Sequence, residues 1–328
     1  MNKILITGGA GFVGYHTAKT LSKDSNNKIT IVDNLIRGQM DLELKKLLDK
    51  ENVKFINGDI TNPQFFYNVG YDFKYIYHFA AIIGVKNVFK KPEKVLAVNA
   101  IATLNLFEYA KKLPYLEKIL FSSTSEIYAG TLKHYGIKIP TDENVNLTVD
   151  NIKSPRTTYA LSKMFGESVC FNFDKRFNIP FTIVRYHNVY GPRMGFAHVI
   201  PELFVKIDKN DEIDLPSPKH TRAFCYIDDA VKMTIKLCTS KKAGNEIFHI
   251  GNSNEEIKIV DLAKTIALVM GKDIRINELD NTPGSTKRRC PSIKKMQKFI
   301  KFNPQISLKE GIIKTFKWYS DKLNNVYE

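Results

Sequence analysis

The stretch Ile4-Leu5-Ile6-Thr7-Gly8-Gly9-Ala10-Gly11-Phe12-Val13-Gly14 decides the fold. Its apolar start predicts a short strand over Ile4–Thr7, and the pattern after it predicts a helix over Phe12–Lys23. Between them lie G-x-G-x-x-G (Gly9, Gly11, Gly14) and G-x-x-G-x-x-G (Gly8, Gly11, Gly14). Glycines allow the tight turn and bring backbone N–H groups close to a pyrophosphate. The last one lets the helix pack on the strand, and the helix N-terminus adds a partial positive charge. Asp33 closes the next predicted strand, Lys28–Val32, about 20 residues on. A carboxylate there accepts both hydroxyls of an adenosine ribose and repels a 2′-phosphate, so NAD is expected rather than NADP. Arg37 is the contrary sign, because Arg can hold that phosphate.

Outward from this turn, strands and helices alternate. Strands are predicted over Val53–Asn57, Tyr75–Ala80, Lys118–Ser123 and Phe181–Tyr186, and helices over Leu42–Leu48, Glu93–Lys112 and Thr158–Phe177. Alternation of this kind means βαβ units and a parallel sheet, and near-continuous apolar strands mean that both faces are covered. The fold class is α/β, a Rossmann-type doubly wound sheet. After about residue 190 the rhythm breaks at Pro192, Pro201, Pro216 and Pro218. A strand over Glu246–Ile250 and helices over Val260–Met270 and Leu308–Leu323 come after, the last with Phe316 and Trp318 buried. The expected division is an NAD-binding domain over 1–186, to which segments near 222–251 return, and a smaller substrate domain over 187–328.

Composition excludes other classes. Of 328 residues, 43% are apolar and 25% charged, which rules out collagen-like and disordered chains. With 49 Lys and Arg against 34 Asp and Glu, the net charge is +15. That charge reads either as a Lys-rich surface or as attraction to anionic partners such as phosphorylated small molecules. No zinc-finger spacing, RNP-like motif or aromatic-interleaved basic stripe points to nucleic acid. Cys170, Cys225, Cys238 and Cys290 form no C-x-x-C pair, so no metal is expected and reduced, packed thiols are. With no signal-peptide pattern and no long apolar stretch, a cytoplasmic protein that binds no membrane is expected.

Tyr159-Ala160-Leu161-Ser162-Lys163 is Y-x-x-x-K at the start of a predicted helix. Residues i and i+4 share a helix face, so Lys163 is expected beside Tyr159, lowering the phenol's pKa. A phenolate can take the proton from a sugar hydroxyl as its hydride leaves for a nicotinamide. The strand before it ends in Ser122-Ser123-Thr124-Ser125-Glu126, where a hydroxyl can bond the same oxygen.

With these residues in order, the chain resembles the extended short-chain dehydrogenases/reductases of the nucleotide-sugar epimerase/dehydratase group. The similarity runs through Thr7–Gly14, Val32-Asp33-Asn34-Leu35, Gly58-Asp59-Ile60, His78-Phe79-Ala80-Ala81, Asn99 and Ser123–Tyr128. It continues through Tyr159–Lys163, Arg185–Arg193 and Arg222–Asp229. The resemblance implies NAD held by Gly8, Gly11, Phe12, Val13, Gly14, Asp33 and Asn34. Asp59 and Ile60 flank its adenine, and Phe79, Ala80, Ala81, Asn99, Ser122, Tyr186 and Val189 line the rest. Tyr159 and Lys163 become the catalytic pair, Lys163 also holding the nicotinamide ribose, and Thr124 bonds the sugar 4-hydroxyl. Asn188, Arg222 and one of Arg288 or Arg289 meet the substrate diphosphate. A nucleoside-diphosphate sugar, UDP- or GDP-linked, is the implied substrate. A homodimer through the helices near 93–112 and 158–177 is implied too.

The resemblance implies that the reaction starts with oxidation of the sugar by NAD, usually at C4. Ser125 and Glu126 bear on the second chemical step, since a Glu here can abstract the C5 proton and expel the 6-hydroxyl. Relatives that dehydrate thymidine-linked sugars carry Asp where Ser125 stands. Dehydration or epimerisation for surface polysaccharide synthesis is expected first. Decarboxylation of a UDP-uronate, or plain 4-dehydrogenation of a sugar such as a GDP-heptose, is the alternative, and a non-catalytic dinucleotide sensor the remote one. His187 stands where relatives carry Phe; it either touches substrate or packs.

Overall fold

The computed structural model describes residues 1–282 and 284–323. Strands β1 (Asn2–Thr7), β2 (Asn27–Asp33), β3 (Val53–Asn57), β4 (Tyr75–His78), β5 (Lys118–Thr124) and β6 (Phe181–Tyr186) alternate with helices. These are α1 (Phe12–Leu21), α2 (Leu42–Leu48), α3 (Val85–Lys90), α4 (Pro92–Ala110), α5 (Ala129–His134) and α6 (Thr157–Phe177). Beyond them come β7 (Val189–Tyr190), α7 (Val199–Lys209), β8 (Glu212–Pro216), β9 (Thr221–Ala223), β10 (Cys225–Tyr226), α8 (Ile227–Thr239) and β11 (Glu246–Ile250). The chain closes with β12 (Glu256–Lys258), α9 (Ile259–Met270), β13 (Arg275–Leu279), β14 (Arg288–Arg289), α10 (Lys294–Ile300) and α11 (Leu308–Leu323).

The seven-stranded sheet runs β11-β6-β5-β4-β1-β2-β3, parallel throughout. Alternating side chains supply two cores. Ile4, Ile6, Ile29 and Ile31 pack on one face with Tyr15 and Ala18 of α1. Leu5, Val32 and Ile76 pack on the other with Leu106 and Phe107 of α4 and Val169 of α6. Each such fully buried side chain contributes roughly 1.5–3 kcal/mol of transfer free energy.

The strand order reverses between β1 and β4, and at such a reversal a crevice opens outside the carboxyl ends of the strands. Two close approaches shape it. A Cβ on Gly8 (φ +71°) would lie 2.5 Å from the backbone nitrogen of Ala80, just past β4. A Cβ on Gly166 would lie 2.2 Å from the ring of Phe121, so α6 presses onto β5 and fixes Tyr159 and Lys163 against that strand's end.

Past β6 the chain builds three small sheets, β10-β7, β12-β9-β14 and β13-β8. Phe316 and Trp318 differ from expectation: both are only half-buried, because α11 is amphipathic and Trp318 lies at its edge, its Nε1 donating to Glu43 at 2.7 Å. The four cysteines are free and buried. Among the described residues no helix is long and apolar enough to cross a membrane.

Candidate active site

At the β1 end of the crevice the glycine turn is packed too tightly for side chains. A Cβ on Gly14 would come within 2.3 Å of the Gly8 carbonyl oxygen. Gly11 caps α1 with no side-chain bond, so the first-turn amides, including those of Phe12 and Val13, face outward. Asp33 accepts from the Ala10 amide (3.1 Å) and the Leu35 amide (2.9 Å). Burial raises its pKa, while those two bonds and the charges of Arg193 and Arg37 pull it back. Gly38 folds over it; a Cβ there would sit 3.0 Å from the Asp33 carboxylate. Asn34 is spent on the Ile36 amide (3.2 Å), and exposed Asp59 on Thr61, beside buried Ile60.

Phe79, Ala80 and Ala81 line the β4 edge, half-buried. Asn99 does not offer a free amide. Its Oδ1 accepts from Ile82 N (2.7 Å), and its Nδ2 donates to Ile82 O (3.1 Å) and Ser162 Oγ (3.0 Å). It therefore ties the loop after β4 to α6, between Tyr159 and Lys163. Tyr186 turns away from the cleft, its hydroxyl meeting Thr234 of α8 at 2.8 Å. Ser122 and Val189 are buried in their strands.

The Tyr159 hydroxyl faces Thr124, the last residue of β5. The expected lowering of its pKa is not what the structure shows. Burial raises it, the Glu126 charge raises it further, and the Thr124 hydroxyl and Arg37 oppose this only in part. Lys163 Nζ stands 6.0 Å from the Tyr159 ring centre and 5.1 Å from that of Phe121. Its own pKa falls to about 8, chiefly through burial.

Beyond this pair lies a cluster of opposite charges. Arg222 of β9 and Arg289 of β14 are register partners on adjacent strands. Like charges so placed repel unless an anion lies between them. Arg289 Nη1 donates to Glu126 Oε1 at 2.6 Å and reaches Ser125 Oγ at 3.5 Å, yet its buried Nε meets no acceptor among the described residues. Arg289, then Arg156 and Arg222, hold the Glu126 carboxyl below its usual range. Burial, then Arg289, brings Arg222 down to about 10; its fork bonds Thr221 O (2.7 Å) and Ser285 Oγ (3.1 Å). Asn188 (φ +41°) donates to Ala223 O at 3.1 Å, beside Arg222.

Of the two candidate arginines, only Arg289 reaches the cleft. Arg288 turns to the surface and forks onto Glu256 at 2.7 and 2.8 Å, because successive strand residues point to opposite faces. His187 is a packing residue: it is buried 4.6 Å from the His249 ring, and neither ring nitrogen has a partner among the described residues. Arg156, three residues before Tyr159, was not anticipated, nor were Gly38 and Arg193; the short spacing to Tyr159 was the one available signal for Arg156.

The crevice and its glycines fit a dinucleotide, and comparison with known proteins agrees. The profile of the NAD dependent epimerase/dehydratase family matches residues 4–251. The chain belongs to this family. It is 31% identical over 315 residues to UDP-glucuronic acid decarboxylase 6 of Arabidopsis thaliana, covering 94% of this chain and 86% of that one. It is 30% identical to a UDP-glucuronate 4-epimerase of Thermodesulfobacterium geofontis, covering 98% of each. Among solved structures it is similar to a variant of Bacillus cereus UDP-glucuronic acid 4-epimerase in complex with UDP-4-deoxy-4-fluoro-glucuronic acid and NAD. That likeness has a TM-score of 0.86 and 28% identity, covering 98% of this chain and 99% of the other. This is an NAD-dependent enzyme of nucleotide-sugar metabolism.

Proposed function

We propose that the enzyme takes a UDP-hexuronate, oxidises it at C4 and removes its C6 carboxylate as carbon dioxide. The observation that carries this is Arg289: paired with Glu126, cross-strand from Arg222, and left with a buried N–H to satisfy. A buried guanidinium with an open donor suits a carboxylate or phosphate oxygen.

Gly8, Gly11, Gly14 and Asp33 hold the cofactor. Bound there, NAD would supply the hydride acceptor for C4 and, once reduced, the hydride that restores the alcohol. Thr124 orients the 4-hydroxyl, and Tyr159 takes its proton once the phenol is ionised, a step that the positive charges of Lys163 and of a bound oxidised nicotinamide would favour. A ketone at C4 is β to the C6 carboxylate, so the C5–C6 electron pair can move into the ketone as an enolate while carbon dioxide departs. Tyr159 and Thr124 face the enolate oxygen, and a proton from solvent water completes C5.

Dehydration fits less well than the sequence suggested. Expelling a 6-hydroxyl needs an acid to protonate it. Ser125 is no acid, and Glu126 is held ionised by Arg289. Decarboxylation needs no acid on a leaving group, only a solvent proton at C5 once carbon dioxide has left. Dehydration remains the second reading, because an ionised, partly accessible Glu126 can serve as base. Epimerisation of a UDP-hexuronate would use Arg289 in the same way but would give Glu126 no step.

The smaller substrate-binding domain then comprises 187–328, apart from the segments near 222–251 that rejoin the first. Leu96, Ile101 and Leu104 of α4 and Phe165 and Phe171 of α6 are exposed apolar groups on packed helices, which supports a homodimer through them.

The test is the mass of the nucleotide product after incubation with UDP-glucuronate and NAD. Loss of carbon dioxide is expected. Loss of water would establish dehydration instead, loss of two hydrogens dehydrogenation, and an unchanged mass with an inverted C4 epimerisation.

A further inference from the structure

Arg193 belongs to the chain beyond the central sheet, yet its side chain is spent on the opposite end of the cleft. It is 5% exposed. Its Nε donates to Asp41 Oδ2 at 2.6 Å, its Nη2 to Gln39 O at 3.1 Å and its Nη1 to Ala10 O at 3.3 Å. The guanidinium lies 4.1 Å from the ring centre of Tyr15. The backbone that presents it is fixed in turn. Gly191 and Arg193 both have positive φ, His16 Nε2 donates to Pro192 O at 2.9 Å, and the Tyr319 hydroxyl donates to Met194 O. Arg193 thus joins three stretches: the glycine turn through Ala10, the 34–41 loop through Gln39, and the start of α2 through Asp41, which caps that helix at Leu44 N. Ala10, whose carbonyl Arg193 holds, gives its amide to Asp33. A buried cation holding two carbonyls and a carboxylate is a strong constraint on loop geometry.

We propose that Arg193 is a positioning residue for NAD: by clamping Ala10 and the 34–41 loop, it holds the Asp33 carboxylate where the adenosine ribose is recognised. Part of the cofactor site is therefore set by the chain after β7, so binding of NAD depends on how that chain is docked. Arg193 touches no reacting atom.

The test is a double-mutant cycle on NAD affinity, measured calorimetrically on the full chain with UDP affinity as control. Arg193→Gln is expected to weaken NAD about tenfold, the effect of losing charge-assisted bonds to a loop, and to leave UDP affinity unchanged. Arg193→Lys, which keeps the charge and loses the fork, should recover part of the loss. Asp33→Asn should also weaken NAD, and the double variant should bind no worse than Asp33→Asn by more than about twofold, because the two act through one contact. Asp41→Asn is the gentler probe: Asn caps a helix as well as Asp does, so only the partner charge is lost, and a few-fold weakening is expected. Wild-type NAD affinity in both Arg193→Gln and Asp41→Asn would overturn the proposal. Losses that multiply in the double variant, or a parallel loss of UDP affinity, would overturn it too. Unchanged affinity in Asp33→Asn removes the ribose reading on which it rests. If Arg193→Gln fails to fold, Asp41→Asn decides, and wild-type affinity there overturns the proposal.

Discussion

At the glycine end of the cleft, the groups proposed to face the cofactor come from one short stretch, Thr7–Gly14, with Asp33 one strand later, and they act mainly through backbone. At the arginine end, Thr124 closes β5 with Glu126 just after it, Tyr159 rides on α6, and Arg222 and Arg289 sit on neighbouring strands far apart in the chain. The first end needs space and amide direction, which glycines at fixed spacing provide. The second needs two arginines in register with a carboxylate brought beside one of them, which only tertiary structure can provide. The lesson is that the core of the NAD site is written locally, with the proposed Arg193 clamp its distant support, while the choice of reaction is written in side chains that meet late.

The largest expected effect lies where the two ends meet. Tyr159→Phe should lower turnover by about 10²–10⁴-fold, the range for losing a positioned acid–base group, with NAD affinity kept. A smaller loss measured by steady-state kinetics would move the proton transfer elsewhere. Next is the glycine end. Gly14→Ala drives a Cβ to 2.3 Å from the Gly8 carbonyl and should cost about 1–3 kcal/mol of strain, read as a lower melting temperature with weakened NAD binding.

The comparison also explains what was legible in the sequence. The parallel sheet, the glycine turn, Asp33 and the Tyr159–Lys163 pair were readable because each arises from short-range spacing. Arg193 was not, since its partners Ala10 and Asp41 lie far away in the chain; Gly38, close after Asp33, was not because spacing does not say that the loop folds back over the carboxylate. Arg288 and Arg289 could not be separated by spacing; strand pleat separates them. The expected lowering of the Tyr159 pKa failed because helical spacing brings Lys163 near the ring but says nothing of burial, which dominates. Trp318 shows the same limit: amphipathic pattern gives a face, not a depth.

A smaller effect concerns pH. Lys163 titrates near 8 in the folded protein, below the ordinary lysine range, because burial disfavours its charge. Turnover that needs the ammonium should therefore decline as pH rises past about 8. Stability should move oppositely. Above pH 8 the unfolded chain binds more protons at this group than the folded one, so its contribution rises with pH until the unfolded lysine also deprotonates. Activity and melting curves between pH 7 and roughly 10 check both signs; a pH-independent turnover would place the essential proton elsewhere.

The smallest effect is at His187, behind the arginine end. Its two unpartnered ring nitrogens are buried and its pKa lies well below the usual range, so the ring is neutral and unsatisfied. His187→Phe should raise stability by about 1 kcal/mol in a denaturant titration and leave turnover unchanged. A loss of turnover would return His187 to the site.

Substrate affinity at the arginine end is the most direct measurement. In Tyr159→Phe, where turnover is blocked, calorimetric titration with UDP-glucuronate and UDP-glucose compares a sugar carrying the C6 carboxylate with one lacking it. UDP-glucuronate is expected to bind about tenfold more tightly, and Arg289→Ala is expected to erase the difference. Equal affinity for the two sugars, or a preference that survives Arg289→Ala, would contradict the assignment of this end of the cleft to a carboxylate.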